Sequence, residues 1–113
     1  MNLNRKPNGT VIAIMVVWNG IPYLERALSS LLENLREEDD LLVVDNDSSD
    51  GSAEFIQKYF PQIALLQTTE NLGGAGGFNE GAKIALTSNQ CKFVWLLDND
   101  IYLEKNALLP LIS

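Results

Sequence analysis

The sequence of 113 residues contains no histidine and a single cysteine, Cys91. Without histidine the chain cannot form a Ser-His or Cys-His nucleophile system, or a zinc site that includes histidine. One cysteine excludes an internal disulfide and a paired-cysteine metal site, and it favours a reducing compartment. Basic residues are also few: 8 Lys and Arg stand against 15 Asp and Glu, a net charge of −7, which argues against nucleic acid as a partner.

Long hydrophobic runs are missing as well. The apolar run at residues 11–18 is far shorter than the roughly 20 residues of a membrane helix, and residues 1–7 lack the apolar region of a signal peptide. We therefore expect a cytoplasmic chain, and a peripheral position at the inner face of the membrane stays open for the full-length protein. We expect residues 1–113 to form a single domain with a disordered tail at residues 1–10.

What the sequence does contain is an alternation of strand-like and helix-like segments. Short, mostly apolar runs predict buried strands at residues 11–17, 41–44, 63–67 and 93–97. Helical periodicity and turn residues predict helices at 23–35, 53–59, 78–87 and, weakened by Pro110, 106–112. This alternation predicts an α/β fold with three layers, α/β/α, and a mainly parallel sheet with the strand order 3-2-1-4.

Two carboxylates follow the fourth predicted strand, in the tripeptide Asp98-Asn99-Asp100. Side chains two positions apart at the end of a strand point the same way, so both can face one ligand. A divalent cation, Mg²⁺ or Mn²⁺, would relieve their repulsion and complete its shell with substrate phosphates. The alternative is an Asx turn that closes the strand. The position after this strand favours a metal site at Asp98 and Asp100.

A second acidic stretch, DNDSSDGS at residues 45–52, follows the second predicted strand. Ser49 or Asp50 is suited to cap the next helix. Capping does not explain Asp45, which directly follows four apolar residues. A carboxylate at that position can accept a hydrogen bond from the N–H of a uracil or thymine base or from a ribose hydroxyl. Asp47, two residues later, is a further candidate for substrate binding.

Two more candidates follow predicted strands. Trp18 and Asn19 come after the first strand, where Trp18 either joins the core or stacks on a nucleobase, a contact of about 1–3 kcal/mol. Residues 71–81, NLGGAGGFNEG, predict a tight glycine-rich loop that approaches a ligand or another backbone closely and then opens a helix. The segment matches neither the Rossmann fingerprint nor a P-loop, but its N–H groups can still meet an anion.

Taken in order, the segments VVWN, VVDNDSSDGS, NLGGAGGFNEG and WLLDND resemble the N-terminal half of family 2 glycosyltransferases with the GT-A fold. The glycine-rich segment is most similar to the bacterial rhamnosyltransferase and galactofuranosyltransferase branch. The resemblance begins near residue 11 and covers nearly the whole chain. It implies the Rossmann-like half of a GT-A fold, which binds a UDP- or dTDP-sugar for transfer to a glycan or lipid-linked acceptor in cell-envelope polysaccharide biosynthesis.

The resemblance also implies roles for individual residues. Asp100 would be the main metal ligand, and Asp98 would contact ribose or the metal. Asp45 would contact the base, with Trp18 packed against it, and the glycine-rich segment would line the donor pocket. The substrate-binding candidates are Trp18, Asn19, Asp45, Asp47, Asn71, Gly73, Gly74, Gly76, Gly77 and Asp98.

In such a family the general base of an inverting mechanism comes well after the two aspartates. We therefore expect no catalytic residue in this chain, with the base beyond Ser113, and little or no transfer by the chain alone. A sheet without its later strands exposes an edge, which predicts a homo-oligomer. A non-catalytic sugar-nucleotide-binding module and a sugar-nucleotide-forming nucleotidyltransferase remain as alternative functions.

Overall fold

A computed structural model describes residues 1–98 of the chain, and for Asp98 the backbone alone. The strands are β1 (Asn2–Leu3), β2 (Val11–Val17), β3 (Asp40–Asp45), β4 (Ala64–Gln67) and β5 (Phe93–Asp98), and the helices are α1 (Ile21–Asn34), α2 (Ser52–Tyr59) and α3 (Gly73–Ala85). The helix predicted at residues 106–112 lies outside the described residues. Over the described part of the chain, no helix combines the length and the apolar character needed to cross a lipid bilayer.

The five strands form one sheet in the order β1-β4-β3-β2-β5. Strands β4, β3, β2 and β5 are parallel to one another, and β1 is antiparallel to β4. In the register, Val17 is paired with Asp45 and Val16 with Asp98, so β2, β3 and β5 end at the same edge of the sheet. The predicted α/β class with a mainly parallel sheet is confirmed.

Helices cover both faces of this sheet. One apolar cluster joins α1 and α2 to the strand residues Leu41 and Val43, and the other joins α3 to Leu42 and Val44. This alternation along β3 follows from the two-residue period of a strand, and it explains why β2 and β3 are apolar at nearly every position. The same alternation determines whether a residue at the end of β3 lies on the side of α3 or on the side of α1 and α2.

The first ten residues differ from the expected disordered tail. Strand β1 pairs with the edge of β4, and the side chain of Asn4 donates to the carbonyl of Ile63 and accepts from the N–H of Leu65. Arg5 forms a bidentate ion pair with Asp40, with both N···O distances at 2.7 Å. Composition alone does not reveal this order, because the segment gains it by pairing with distant residues.

Helix α3 begins at Gly73, earlier than the predicted start near residue 78. The glycines that suggested a loop are part of its first turns. A Cβ atom at Gly77 would lie 2.8 Å from Cγ1 of Val16, and one at Gly81 would lie 2.8 Å from Cγ2 of Ile14. Glycine is a poor helix former, which misled the prediction, but here it lets the helix pack closely against the sheet.

Candidate functional site

A cavity of about 290 Å³ lies at the edge where β2 and β3 end, beside the start of α3. Its lining residues are Val16, Trp18, Asn46, Asn71, Gly73, Gly74 and Phe78. The side chain of Trp18 is 57% exposed and does not belong to the core. A larger cavity of about 580 Å³ lies between α1 and α2, and no strand end contributes to it. Ligands of parallel α/β sheets bind at the carboxyl ends of strands, so the smaller cavity is the candidate site.

Asn46 connects the end of β3 to the start of α3. Its side chain is buried, and its Oδ1 atom accepts a hydrogen bond from the N–H of Leu72 at 2.8 Å. Its Nδ2 atom donates to the carbonyl oxygen of Gly73 at 2.9 Å. Asn46 was not among the site residues predicted from the sequence. Side-chain alternation was the available signal, because a residue next to Asp45 is expected to approach the opposite face of the sheet.

Asp45 lies at the same edge of the sheet but does not line the cavity. Its side chain is 3% exposed, and Oδ1 has no hydrogen-bond partner. Burial raises the pKa of this carboxyl, the hydroxyl and N–H of Ser48 lower it, and the charges of Asp50 and Glu54 raise it further. Asp45 is therefore not accessible to a nucleobase in this structure. Its predicted contact with the base stays a prediction.

The loops after β2 and β3 are joined to each other by hydrogen bonds. The N–H of Asn19 donates to Oγ of Ser48 at 2.9 Å, and Oδ1 of Asn19 accepts from the N–H of Ser49 at 2.8 Å. Asn19 and Asp47 both have positive φ angles, 51° and 63°, as expected for tight turns. The side-chain oxygen of Asn19 is thus used within the protein, whereas Asp47 is exposed.

Asp50 holds the starts of α1 and α2. Its Oδ1 accepts from the N–H of Ser52 at 3.0 Å, and its Oδ2 accepts from the N–H of Ile21 at 3.3 Å. Burial acts to raise the pKa of Asp50, but the donors on Ser52 and Ile21 outweigh it and lower the pKa. The predicted N-cap at Ser49 or Asp50 is wrong, because Gly51 is the N-cap residue of α2; Asp50 contacts the start of the helix from one residue earlier.

The glycine-rich segment divides into two parts. Gly73, with a φ of +76°, and Gly74 line the cavity, and a Cβ on either would meet nothing within 4 Å. The side-chain oxygen of Asn71 accepts from the N–H of Gly73 at 2.8 Å and so fixes this turn. A Cβ on Gly76 would lie 2.8 Å from Cβ of Leu72, and Gly77 packs against Val16. Gly76 and Gly77 therefore have a packing role, and their predicted contacts with the sugar-nucleotide donor stay a prediction.

The predicted metal site lies at the limit of the described chain. The backbone of Asp98 pairs with Val16, which lines the cavity, whereas Asp100 lies outside the described residues. Among the residues that the structure describes, no three His, Cys, Asp or Glu side chains are grouped so as to hold a metal ion. The metal-binding role of Asp98 and Asp100 therefore remains a prediction.

A parallel α/β sheet with a cavity at its strand ends is the general arrangement of nucleotide-binding α/β proteins. The family model described as glycosyl transferase family 2 matches residues 12–113, and the chain belongs to this family. The family recognised in the sequence is thus confirmed.

Individual relatives agree with this assignment. The chain is 33% identical over 90 residues to galactofuranosyltransferase GlfT1 of Mycolicibacterium smegmatis, an alignment that covers 80% of this chain and 30% of that relative. The structure of S. aureus TarS 1-349 in complex with UDP has a TM-score of 0.72 and 25% identity, covering 90% of this chain and 30% of that one. This chain therefore spans less than a third of either protein.

The fold also occurs in a further solved structure. Mannosyltransferase PcManGT from Pyrobaculum calidifontis, solved in complex with GDP-Man and Mn²⁺, has a TM-score of 0.74 at 20% identity, covering 96% of this chain and 34% of that one. At this identity the likeness concerns the fold alone.

Proposed function

We propose that this chain is the donor-binding part of an inverting glycosyltransferase, which binds a UDP- or dTDP-sugar for transfer to a glycan or lipid-linked acceptor. The observation that carries the proposal is the cavity at the ends of β2 and β3, with the exposed Trp18 at its wall. Family membership and the UDP complex of TarS support the same class of ligand.

The lining of the cavity suits the nucleoside half of such a donor. The indole of Trp18 offers a surface on which a base can stack, and such a contact is worth about 1–3 kcal/mol. The amide groups of Asn71 and the open backbone of Gly73 and Gly74 add polar contacts without side-chain bulk. The volume of about 290 Å³ is small for a whole sugar nucleotide, so the diphosphate and sugar are proposed to extend toward the end of β5.

A divalent cation fits this proposal. Strand β5 ends with the backbone of Asp98 paired with Val16, which lines the cavity. Two carboxylates with diphosphate oxygens form the kind of ligand set that Mg²⁺ or Mn²⁺ prefers, and the ion would stabilise the charge of the departing nucleoside diphosphate. We also propose that the chain alone transfers little sugar, because the family resemblance assigns no general base to any of its residues.

Calorimetric titration with UDP and with dTDP, each with and without Mn²⁺, tests the proposal. We expect binding that strengthens with Mn²⁺ and that weakens about tenfold or more in Trp18→Ala, because 1.4 kcal/mol corresponds to a factor of ten. Tyr59→Ala is the matched control, because Tyr59 is equally exposed at 58% but lies away from the cavity. Asp100→Ala should remove the effect of Mn²⁺. Binding that is the same in Trp18→Ala and Tyr59→Ala would refute the assignment of the cavity.

A further inference from the structure

The start of α3 is held by the side chain of Asn46, the residue that follows β3. Asn46 is 2% exposed, and its amide satisfies both an N–H, that of Leu72, and a carbonyl, that of Gly73. The hydroxyl of Thr68 also approaches Oδ1 of Asn46, at 3.4 Å, and donates to the carbonyl of Glu70 at 2.7 Å. These contacts connect the ends of β3 and β4 to the residues at the start of α3.

Residues 72–74 depend on these hydrogen bonds because their own side chains provide little stabilisation. Leu72 is the N-cap residue of α3, and its side chain makes no capping hydrogen bond. Gly73 and Gly74 have no side chains that could pack against a neighbour, and an added Cβ at either position would face open space. Glycine backbone is also the most flexible in the chain. Asn71 adds a local contact, its Oδ1 accepting a hydrogen bond from the N–H of Gly73.

We propose that Asn46 is the positioning residue that sets the backbone of Gly73 and Gly74 at the cavity wall and thereby determines affinity for the nucleotide. This inference rests on the proposed function, because it takes the cavity as the donor site. Asparagine is required because one end of its amide accepts and the other donates. A carboxylate would keep the bond from the N–H of Leu72 but would place an oxygen against the carbonyl of Gly73.

Two substitutions in the 113-residue chain separate these contacts. Asn46→Ala removes both hydrogen bonds, whereas Asn46→Asp keeps the acceptor for Leu72 and loses the donor to Gly73. We expect UDP to bind at least tenfold more weakly to both variants in calorimetry. We expect faster hydrogen exchange at the Leu72 amide in Asn46→Ala, but protection close to that of the unmodified protein in Asn46→Asp. A residue with a general stabilising role would not produce this difference between the two variants.

Asn34→Asp is the matched control. Asn34 is also buried, and its Nδ2 donates to the carbonyl of Ser30 at 2.8 Å within α1, away from the cavity. We expect this variant to lose thermal stability while its affinity for UDP stays within twofold of the parent. If Asn46→Ala does not fold, Asn46→Asp and the control decide the question by affinity.

The results distinguish this inference from the proposed function. UDP binding within twofold of the parent in both Asn46 variants would overturn the positioning role. If the parent chain binds no UDP, the proposed function fails, and exchange at Leu72 together with the amide shifts of Gly73 and Gly74 still tests the positioning. Unchanged exchange and shifts in Asn46→Ala would then refute it.

Discussion

Asp45→Asn offers a direct test of the electrostatics at the edge of the sheet. Asp45 is almost fully buried, one of its oxygens has no partner, and burial raises the pKa of its carboxyl. A group whose pKa is raised in the folded state contributes stability below its unfolded pKa, near 3.9, and this stability is lost as the pH rises through the folded pKa. Ionisation of this buried carboxyl above its folded pKa therefore lowers the free energy of unfolding.

The size of the effect follows from the unpartnered oxygen. A buried polar group without a partner costs about 1–3 kcal/mol. The amide of the variant places an N–H without a partner at the same position, so the substitution removes only part of this cost. We expect Asp45→Asn to be about 1 kcal/mol more stable than the parent at pH 7. For a domain of this size the melting temperature should rise by about 4 °C.

Thermal unfolding of both proteins between pH 4 and pH 7 measures this difference. We expect the advantage of Asp45→Asn to grow as the pH rises. Asp50→Asn is the control with the opposite sign, because hydrogen bonds from Ser52 and Ile21 lower the pKa of Asp50. Its carboxylate stabilises the fold above the unfolded pKa, so this variant should lose more stability at pH 7 than at pH 4. A difference between Asp45→Asn and the parent that does not change with pH would refute the reasoning.

Three further predictions concern packing, the N-terminal segment and the sheet edge. Gly77→Ala should lower the free energy of unfolding by about 1–2 kcal/mol, measured by urea denaturation. The added Cβ would meet Val16, and this overpacking outweighs the gain in helix propensity. An unchanged urea midpoint would contradict this. Arg5→Ala should cost about 1 kcal/mol at pH 7, because the ion pair with Asp40 is partly exposed, and less as the pH falls through the lowered pKa of Asp40. A loss that does not change with pH would argue against it. Leu96→Lys should reduce self-association in sedimentation velocity, because Leu96 is exposed on β5, which lies at an edge of the sheet formed by residues 1–98. A parent chain that is monomeric at every concentration would exclude this interface.

The strands were predictable because the sequence signal for them is local. All residues of β2 and residues 41–44 of β3 are apolar, and a strand covered on both faces has this pattern whatever its neighbours are. The start of α3 was not predictable in the same way. Gly77 is unfavourable for a helix when taken alone, and its contact with Val16 depends on a strand about sixty residues earlier in the chain.

The candidate site was likewise predictable only where the sequence signal is local. Its place at the end of β2 and β3 follows from topology, and Trp18 and Gly73 were found from their positions after strands. Asn46 was missed because an asparagine in an acidic turn resembles ordinary turn chemistry. Its partners, Leu72 and Gly73, are distant in sequence, so its hydrogen bonds become visible only in three dimensions.

The most direct measurement is an NMR titration of the chain with UDP in the presence of Mg²⁺, following backbone amides and the two indole N–H groups. If the cavity is the donor site, the indole of Trp18 and the amides of Gly73 and Gly74 will shift together with a single dissociation constant. If the shifts instead group around Phe55 and Tyr59, in the cavity between α1 and α2, or if no signal moves, the central claim is wrong.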